Sequence, residues 1–427
     1  MKKLSKILAV SILALILGAF AACGSDDDEI VIRISTWDSG AALGFLEEIA
    51  RNFEAEHSHI TIQVESVPDG LGASILTQLA GGDAPDIFQI GDGDISMFHS
   101  RGALVDLTPH INGPNPLDLN LFFDPILEVG RIDGGVFAFP KDYSTIAVYY
   151  NRDMFDAAGI PHPTGDWTWD EFAEIARQLT IIGDDGNVER WGVNWAGGHR
   201  WVLPIIYGMG GDVISPDGMT VQGYVNSPGT IAGMQWFHNL MNVDRAIPST
   251  IDIGGLQGVN LFMSELSAMN VTGVWPANGF LEAGLNFGTA PLPRGPVGHY
   301  GTIAYAGYVM TRDSNHPEEA WLFLRYLVTE GQYIMAQHAL SAYIPAAQAT
   351  GQHETPHLQA FIDMIEVTRV FPQRVNADWY GSAGRHFSSV LEEINLAQNN
   401  PIDIAALLNE AATQGQAEME DAMSQRD

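Results

Sequence analysis

Apolar and polar residues alternate through Val31-Ile32-Arg33-Ile34-Ser35-Thr36-Trp37, the period of a half-buried strand, and Asp38-Ser39-Gly40 interrupts it. Helical spacing takes over across residues 42–56, with Leu46, Ile49 and Phe53 on one face and Glu47, Glu48 and Arg51 elsewhere. Residues 60–64 read as a second strand, 71–80 as a second helix stopped by Gly81-Gly82, and 86–90 as a third strand. Strands alternating with helices of this length predict an α/β fold of doubly wound, parallel sheets. Ligands of such folds bind beyond the carboxyl ends of the strands. Trp37-Asp38 and Gly91-Asp92-Gly93-Asp94 occupy two such ends.

A second β/α stretch opens at Ile146-Ala147-Val148-Tyr149-Tyr150, and Thr168-Trp169-Asp170-Glu171 supplies a helix start with acids in its first turn. Asp184-Asp185-Gly186 and Ser215-Pro216-Asp217-Gly218 read as turns, and the first lacks the twelve-residue ligand series of a calcium loop. Residues 317–328 carry Ala320, Phe323, Leu324 and Leu327 on one helical face, and an Ala-, Glu- and Gln-rich helical block closes the chain from His386. The length, 427 residues, suits two or three domains' worth of chain, and no internal repeat is present.

The amino terminus carries an address. Lys2, Lys3 and Lys6 precede an apolar run over residues 7–20, 14 residues that are short for a bilayer span but right for a signal-peptide core. The run ends in Phe20-Ala21-Ala22-Cys23, which resembles the lipobox of bacterial lipoproteins; Phe20 stands where leucine is usual. The resemblance implies cleavage after residue 22, lipidation of Cys23 (palmitate among the acyl groups) and anchoring to the outer face of the cell membrane. An ordinary signal peptide cut near Ala22 is the alternative. Residues 24–29 form an acidic tether, and no later run approaches 18 apolar residues, so the mature chain is expected to lack a transmembrane helix.

Charge narrows the function further. Removing residues 1–22 takes three of the 20 cations, leaving 17 against 52 acids, a mature net charge of −35, with Lys141 the only lysine. A field of that sign repels phosphate backbones and excludes a nucleic-acid role. The single cysteine excludes a disulfide framework and a Cys-cluster zinc site.

Four stretches in order carry a family resemblance. They are Gly82-Asp83-Ala84-Pro85-Asp86-Ile87; Phe139-Pro140 with Val148-Tyr149-Tyr150-Asn151-Arg152-Asp153-Met154-Phe155; Thr168-Trp169-Asp170-Glu171-Phe172 with Gln178-Leu179-Thr180; and Glu319-Ala320-Trp321-Leu322-Phe323-Leu324. Together, behind a lipobox, they resemble the extracellular solute-binding proteins of bacterial ABC importers, in the carbohydrate-uptake branch that includes maltodextrin-binding proteins. Phe262-Met263-Ser264-Glu265-Leu266-Ser267-Ala268-Met269 departs from the family, which often has Gly-Lys before x-A-M.

The resemblance implies two α/β lobes joined by hinge crossings, a Venus-flytrap fold. After the signal peptide (1–22) and tether (23–29), lobe one would comprise residues 30–141 and 303–345, and lobe two 142–302 and 346–427. It implies closure on a carbohydrate, then docking on a permease whose cytoplasmic ATPase is a separate chain. Consistent with that division, the sequence holds no Walker-type phosphate loop. A monomer without cofactor or metal is expected.

Sugars present apolar C–H faces and rings of hydroxyls, so their sites pair flat aromatics with carboxylates, amides and a few cations. Trp169 and Trp321 fall inside helix motifs and read as core, and Trp167, Trp191 and Trp236 as structural. Trp37 and Asp38 are ligand candidates from their strand end. By the resemblance, Trp275 matches a position whose tryptophan stacks on sugar. Trp195, His199 and Trp201, around Gly197-Gly198, fall in a loop that carries ligand aromatics in relatives. Trp379-Tyr380 fall where another aromatic returns, or serve inter-lobe packing. Tyr305 lies on the strand after a hinge. Lys141-Asp142-Tyr143 falls on the first crossing, where Asp142 would accept sugar hydroxyls and Lys141 donate to ligand. Asp92 and Asp94 complete the set, although Gly-Asp-Gly-Asp is also plain loop composition.

An enzyme reading competes. His353-Glu354-Thr355-Pro356-His357 matches H-E-x-x-H, a zinc-protease pattern that needs both histidines on one helical face. Pro356 argues instead that Thr355 caps a helix beginning at residue 356, with His353 before it. His57-Ser58-His59 reads as a surface helix end. A glycoside-acting enzyme would need two carboxyls roughly 5 to 10 Å apart across the scissile bond, which nothing in the pattern marks. A binding protein for a non-sugar solute, such as a glycerol phosphodiester, is the other alternative.

Overall fold

The computed structural model describes residues 30–195, 198–253, 258–398 and 400–425. The lipobox with Cys23, the tether and Gly197 lie outside the described residues. Strand β1 (Ile30–Thr36) runs parallel to β2 (Ile60–Ser66) on one side and β3 (Ile87–Gly91) on the other. The connecting helices are Gly40–Glu56, which buries Leu46, Ile49, Ala50 and Phe53, and Leu71–Gly81, which ends on left-handed Gly82. Asp86 then ties the layer together: its carboxylate accepts from the Arg33 backbone N–H at 2.9 Å and from Ser314 Oγ at 2.5 Å. That bond network is the physical content of the Gly82–Ile87 sequence motif, and it aims β3 so that Asp92 emerges at its carboxyl end.

The chain continues through a small hairpin of β4 (Arg131–Ile132) and β5 (Gly135–Val136) into β6 (Phe139–Thr145). At Ile146 it leaves the first sheet and enters the second as β7 (Ala147–Asn151). The second sheet adds β8 (Ile181–Ile182), β9 (Val188–Trp195), β10 (Ser267–Thr272) and β11 (Phe287–Pro291), in the order β11-β7-β10-β9-β8. Its helix Trp169–Leu179 starts in a full capping box, Thr168 accepting from the Glu171 N–H and Glu171 accepting from the Thr168 N–H.

After β11 the chain crosses back as β12 (Gly301–Met310), antiparallel to both β3 and β6, and β13 (Thr368–Arg369) pairs with its start. The first sheet is therefore mixed, not wholly parallel, because a strand returning from the other lobe enters against the β1–β3 direction. A third crossing carries the chain to helices Ala383–Leu396 and Ile404–Ser424, which pack into the second core. One core gathers Ile32, Phe53, Phe88, Phe139 and Leu324, the other Trp169, Phe172, Ile206, Phe237 and Leu408. Helix Pro356–Asp363 sits at the seam, with Thr145 Oγ1 donating to the Phe361 carbonyl and Phe361 buried in the first core.

Candidate ligand-binding cleft

The cleft floor is where β6 and β12 lie side by side between the lobes. Asp38 follows β1, its N–H donating to Thr36 Oγ1 at 3.0 Å while its carbonyl accepts from Ser66 Oγ at 2.7 Å. Lys141, 5% exposed on β6, sets its ammonium 3.2 Å from Asp38 Oδ2 and 2.7 Å from Asp142 Oδ2. Burial pulls this ammonium down, but Asp142, the nearby Tyr308 and Asp38 outweigh it and hold the lysine well above its ordinary value. The structure thus gives Lys141, the one lysine after residue 6, to two carboxylates of its own chain, and leaves Asp142 the more open of the two.

Tyr143 and Tyr305 are register partners on β6 and β12. Both rings are buried, and burial pushes both phenols up. The Tyr305 hydroxyl finds no hydrogen-bond partner among the described residues. Its surroundings are the charges of Arg374, Asp92 and Asp142.

One flank of the floor opens into a cavity of about 690 Å³ lined by Asp92, Asp94, His199, Arg200, Trp201, Phe371, Tyr380 and Ser388 among others. Arg200 Nη2 lies 3.0 Å from each oxygen of Asp92, with its guanidinium 4.7 Å from the Phe371 ring centre. Burial, with the Asp92 charge beside it, pushes the Asp94 carboxyl up. His199 is buried against Trp379, Tyr380 and Phe387, with Nε2 2.6 Å from Ser388 Oγ. Burial lowers this imidazole to about 4, and the Arg200 charge adds to it while a Gly384 backbone hydrogen bond works the other way.

The aromatic candidates divide. Trp195 is packed in the second core, stacked on Trp169 at 5.6 Å, its Nε1 donating to the Trp201 carbonyl at 3.3 Å. Trp379 is fully buried in that core as well. Trp37 is half-buried against the first core, Trp201 lines the cavity, and Tyr380 lines it while 56% exposed. Trp275 is 52% exposed. Its ring folds over Gly273, where an added Cβ would stand 2.0 Å from Cζ3. The backbone around it is pinned: Tyr149 donates to the Gly273 carbonyl at 3.1 Å, and the Val274 N–H donates to Ser144 Oγ of β6 at 2.7 Å.

Arg200, Phe371, Ser388 and Arg374 escaped the sequence reading. Arg374 reaches across to Ser96 Oγ and the Arg131 carbonyl, and burial lowers it. The available signal was scarcity: in a chain this acidic, arginines beside His199 and beside Trp379-Tyr380 stand out. Elsewhere, His353 lies in a 3-10 turn and His357 in the helix that begins at Pro356 with Thr355 as its cap residue, so the two imidazoles do not share a helical face. Among the described residues no cluster of three or more His, Cys, Asp or Glu is placed to hold a metal.

Two α/β lobes, linked by three crossings around a polar cleft with aromatic walls, define a ligand-capturing architecture. The model of the family described as bacterial extracellular solute-binding protein matches residues 37–334, and the chain belongs to that family. It is 24% identical over 380 residues to the maltotriose-binding protein of Pyrococcus abyssi, covering 86% of this chain and 77% of that one. Identity to the maltodextrin-binding protein MdxE of Bacillus subtilis is 26% over 343 residues, 77% of each chain. The solved ABC substrate-binding protein Lmo0181 of Listeria monocytogenes, in complex with cycloalternan, has the same fold. Its TM-score is 0.80 at 20% identity, covering 93% of this chain and 100% of that one. Among the described residues, no helix is long and apolar enough to cross a membrane.

Proposed function

We propose that this protein captures a carbohydrate, an oligosaccharide, by closing its lobes and delivers it uncleaved to the permease of an ABC importer. Lipid on Cys23 would hold it, as a monomer, at the outer face of the membrane. The observation that carries the reading is Trp275: a half-exposed indole on a backbone held at Gly273 and Val274, the latter bonded to Ser144, two residues beyond Asp142 on β6. An exposed aromatic on a fixed backbone forgoes burial and suits the C–H face of a sugar ring, while carboxylates suit its hydroxyls. Maltotriose, maltodextrin and cycloalternan, the ligands of the Pyrococcus, Bacillus and Listeria proteins, support the same class. In this reading Asp38, Asp92, Asp94, Asp142, Tyr305, Trp37, Trp201, Trp275 and Tyr380 meet or border the ligand. Tyr143, Lys141, His199, Trp195 and Trp379 hold them in place.

A thermal-shift series on residues 24–427 tests it, with neutral mono- and oligosaccharides beside sugar phosphates and a glycerol phosphodiester. Ligand at 100 times its dissociation constant adds about 2.7 kcal/mol to stability, a readable rise in Tm. A shift with one neutral series, and that sugar recovered intact, is expected. Cleaved sugar would transfer the protein to the glycoside-acting class, and a shift only with the phosphodiester would replace the carbohydrate. Gly273→Ala, which must displace the Trp275 ring, should weaken sugar binding roughly tenfold or more while leaving the unliganded melting temperature nearly unchanged.

A further inference from the structure

Asp92 leaves the first lobe at the end of β3, and Arg200 opens the helix His199–Gly208 of the second. Their ion pair therefore spans the two bodies that move in closure. Arg200 Nη2 is 3.0 Å from both Asp92 oxygens, and the side chains are only 6% (Asp92) and 17% (Arg200) exposed. Arg200 is fixed on three sides: the Phe371 ring faces its guanidinium, its carbonyl accepts from Thr302 Oγ1 of β12 at 2.8 Å, and Asp92 holds its tip. Asp92 is tied to the same strand, its N–H donating to the Tyr305 carbonyl at 3.3 Å.

Both groups thus stand beside the strand at the hinge, where lobe rotation moves them little. A contact of hydrogen-bond length is nevertheless broken by a small displacement. We propose that Asp92 and Arg200 form an inter-lobe latch that holds the empty protein toward its closed form, with Arg200 as the positioning residue. Desolvating two ions offsets much of their attraction, yet a close pair bonded to both carboxylate oxygens can be net favourable, and leaving one ion buried without the other is strongly unfavourable. The asymmetry is what makes a latch: the closed form tolerates the pair and rejects either member alone. A binding-competent population raised in this way lowers the apparent dissociation constant of any ligand by the same factor.

The latch concerns the empty protein and is independent of what the cleft binds. The test is an inter-lobe distance measurement on residues 24–427 without ligand, with nitroxides on Thr77→Cys in lobe one and Asp170→Cys in lobe two. The parent protein should give one narrow distance distribution. Arg200→Met should broaden and shift it, with the closed fraction falling about tenfold or more. Asp92→Asn, which keeps the side-chain shape, should do the same if Arg200→Met fails to fold. Adding Asp92→Asn to Arg200→Met should restore part of the closed fraction, because neither ion is then left buried without its partner. Unchanged distributions in both single variants would overturn the latch and leave the carbohydrate reading untouched; a failed sugar screen beside a shifted distribution would do the reverse.

Discussion

At the scale of single residues, His199 is the imidazole whose environment shifts its titration below the neutral range. Its imidazole sits in an aromatic nest that lowers it from 6.5 to about 4, so the native state stays neutral where the unfolded chain takes a proton. The unfolded state binds more protons between those two values, and stability therefore falls as pH drops through that window. The loss attached to this one group is about 3 kcal/mol, complete near pH 4 and absent above 6.5. Urea melts at pH 4.5 and 7 should differ less in His199→Gln than in the parent; an identical difference in both would mean that other groups carry the acid sensitivity. The same residue shows the reach of sequence reading. The resemblance made His199 a candidate and the structure sets it in the cavity wall, but its burial on Ser388 and Trp379 was not legible, since those partners lie 180 or more positions away.

At the scale of elements, local pattern was a good guide wherever the element sets its own ends. The spacing of Leu46, Ile49 and Phe53, the capping box at Thr168, and the stripe on Pro317–Val328 all reappear as read. What escaped was the role of β12 as the shared floor, because its partners β3 and β6 are distant in sequence and its register with β6 slips between Ala306 and Gly307. Packing between elements also fixes residues that look ordinary in the chain. A Cβ at Gly192, on β9, would stand 2.0 Å from the Ala176 carbonyl oxygen on the helix that covers it. Gly192→Ala should cost about 3 kcal/mol, through forced separation of helix and strand. Thr168→Ala, which removes one cap, should cost only about 1 kcal/mol. Chemical denaturation of both variants checks the ranking, and a milder Gly192→Ala would mean that the helix can slide.

The whole molecule answers to charge and to its crossings. The net charge of −35 carried from residue 23 onward is self-repelling in any compact state. Screening shortens from about 10 Å at 0.1 M salt to about 3 Å at 1 M, so repulsion between surface acids should fade. The melting temperature should therefore rise by a few degrees between those salt concentrations in calorimetry. A fall would mean that surface pairs such as Arg33 with Glu65 and Asp83 contribute more than the repulsion costs. The same excess of acid makes a buried arginine informative, and Arg200 and Arg374 both sit where one lobe faces the other.

The sequence alone was enough for the α/β class and for the alternation that aims Asp38 and Asp92 beyond their strands. Each of these depends on neighbours within a few residues, where periodicity and turn chemistry act. Which tryptophans face solvent was decided only by the tertiary structure. Trp195 and Trp379 are buried while Trp275 is half-exposed, although all three flank loops of similar composition. Burial is set by whatever distant segment covers a ring, and so is pairing: Lys141 meets Asp38 only once β6 has joined the sheet of β1, and Asp92 meets Arg200 only once the two lobes face each other.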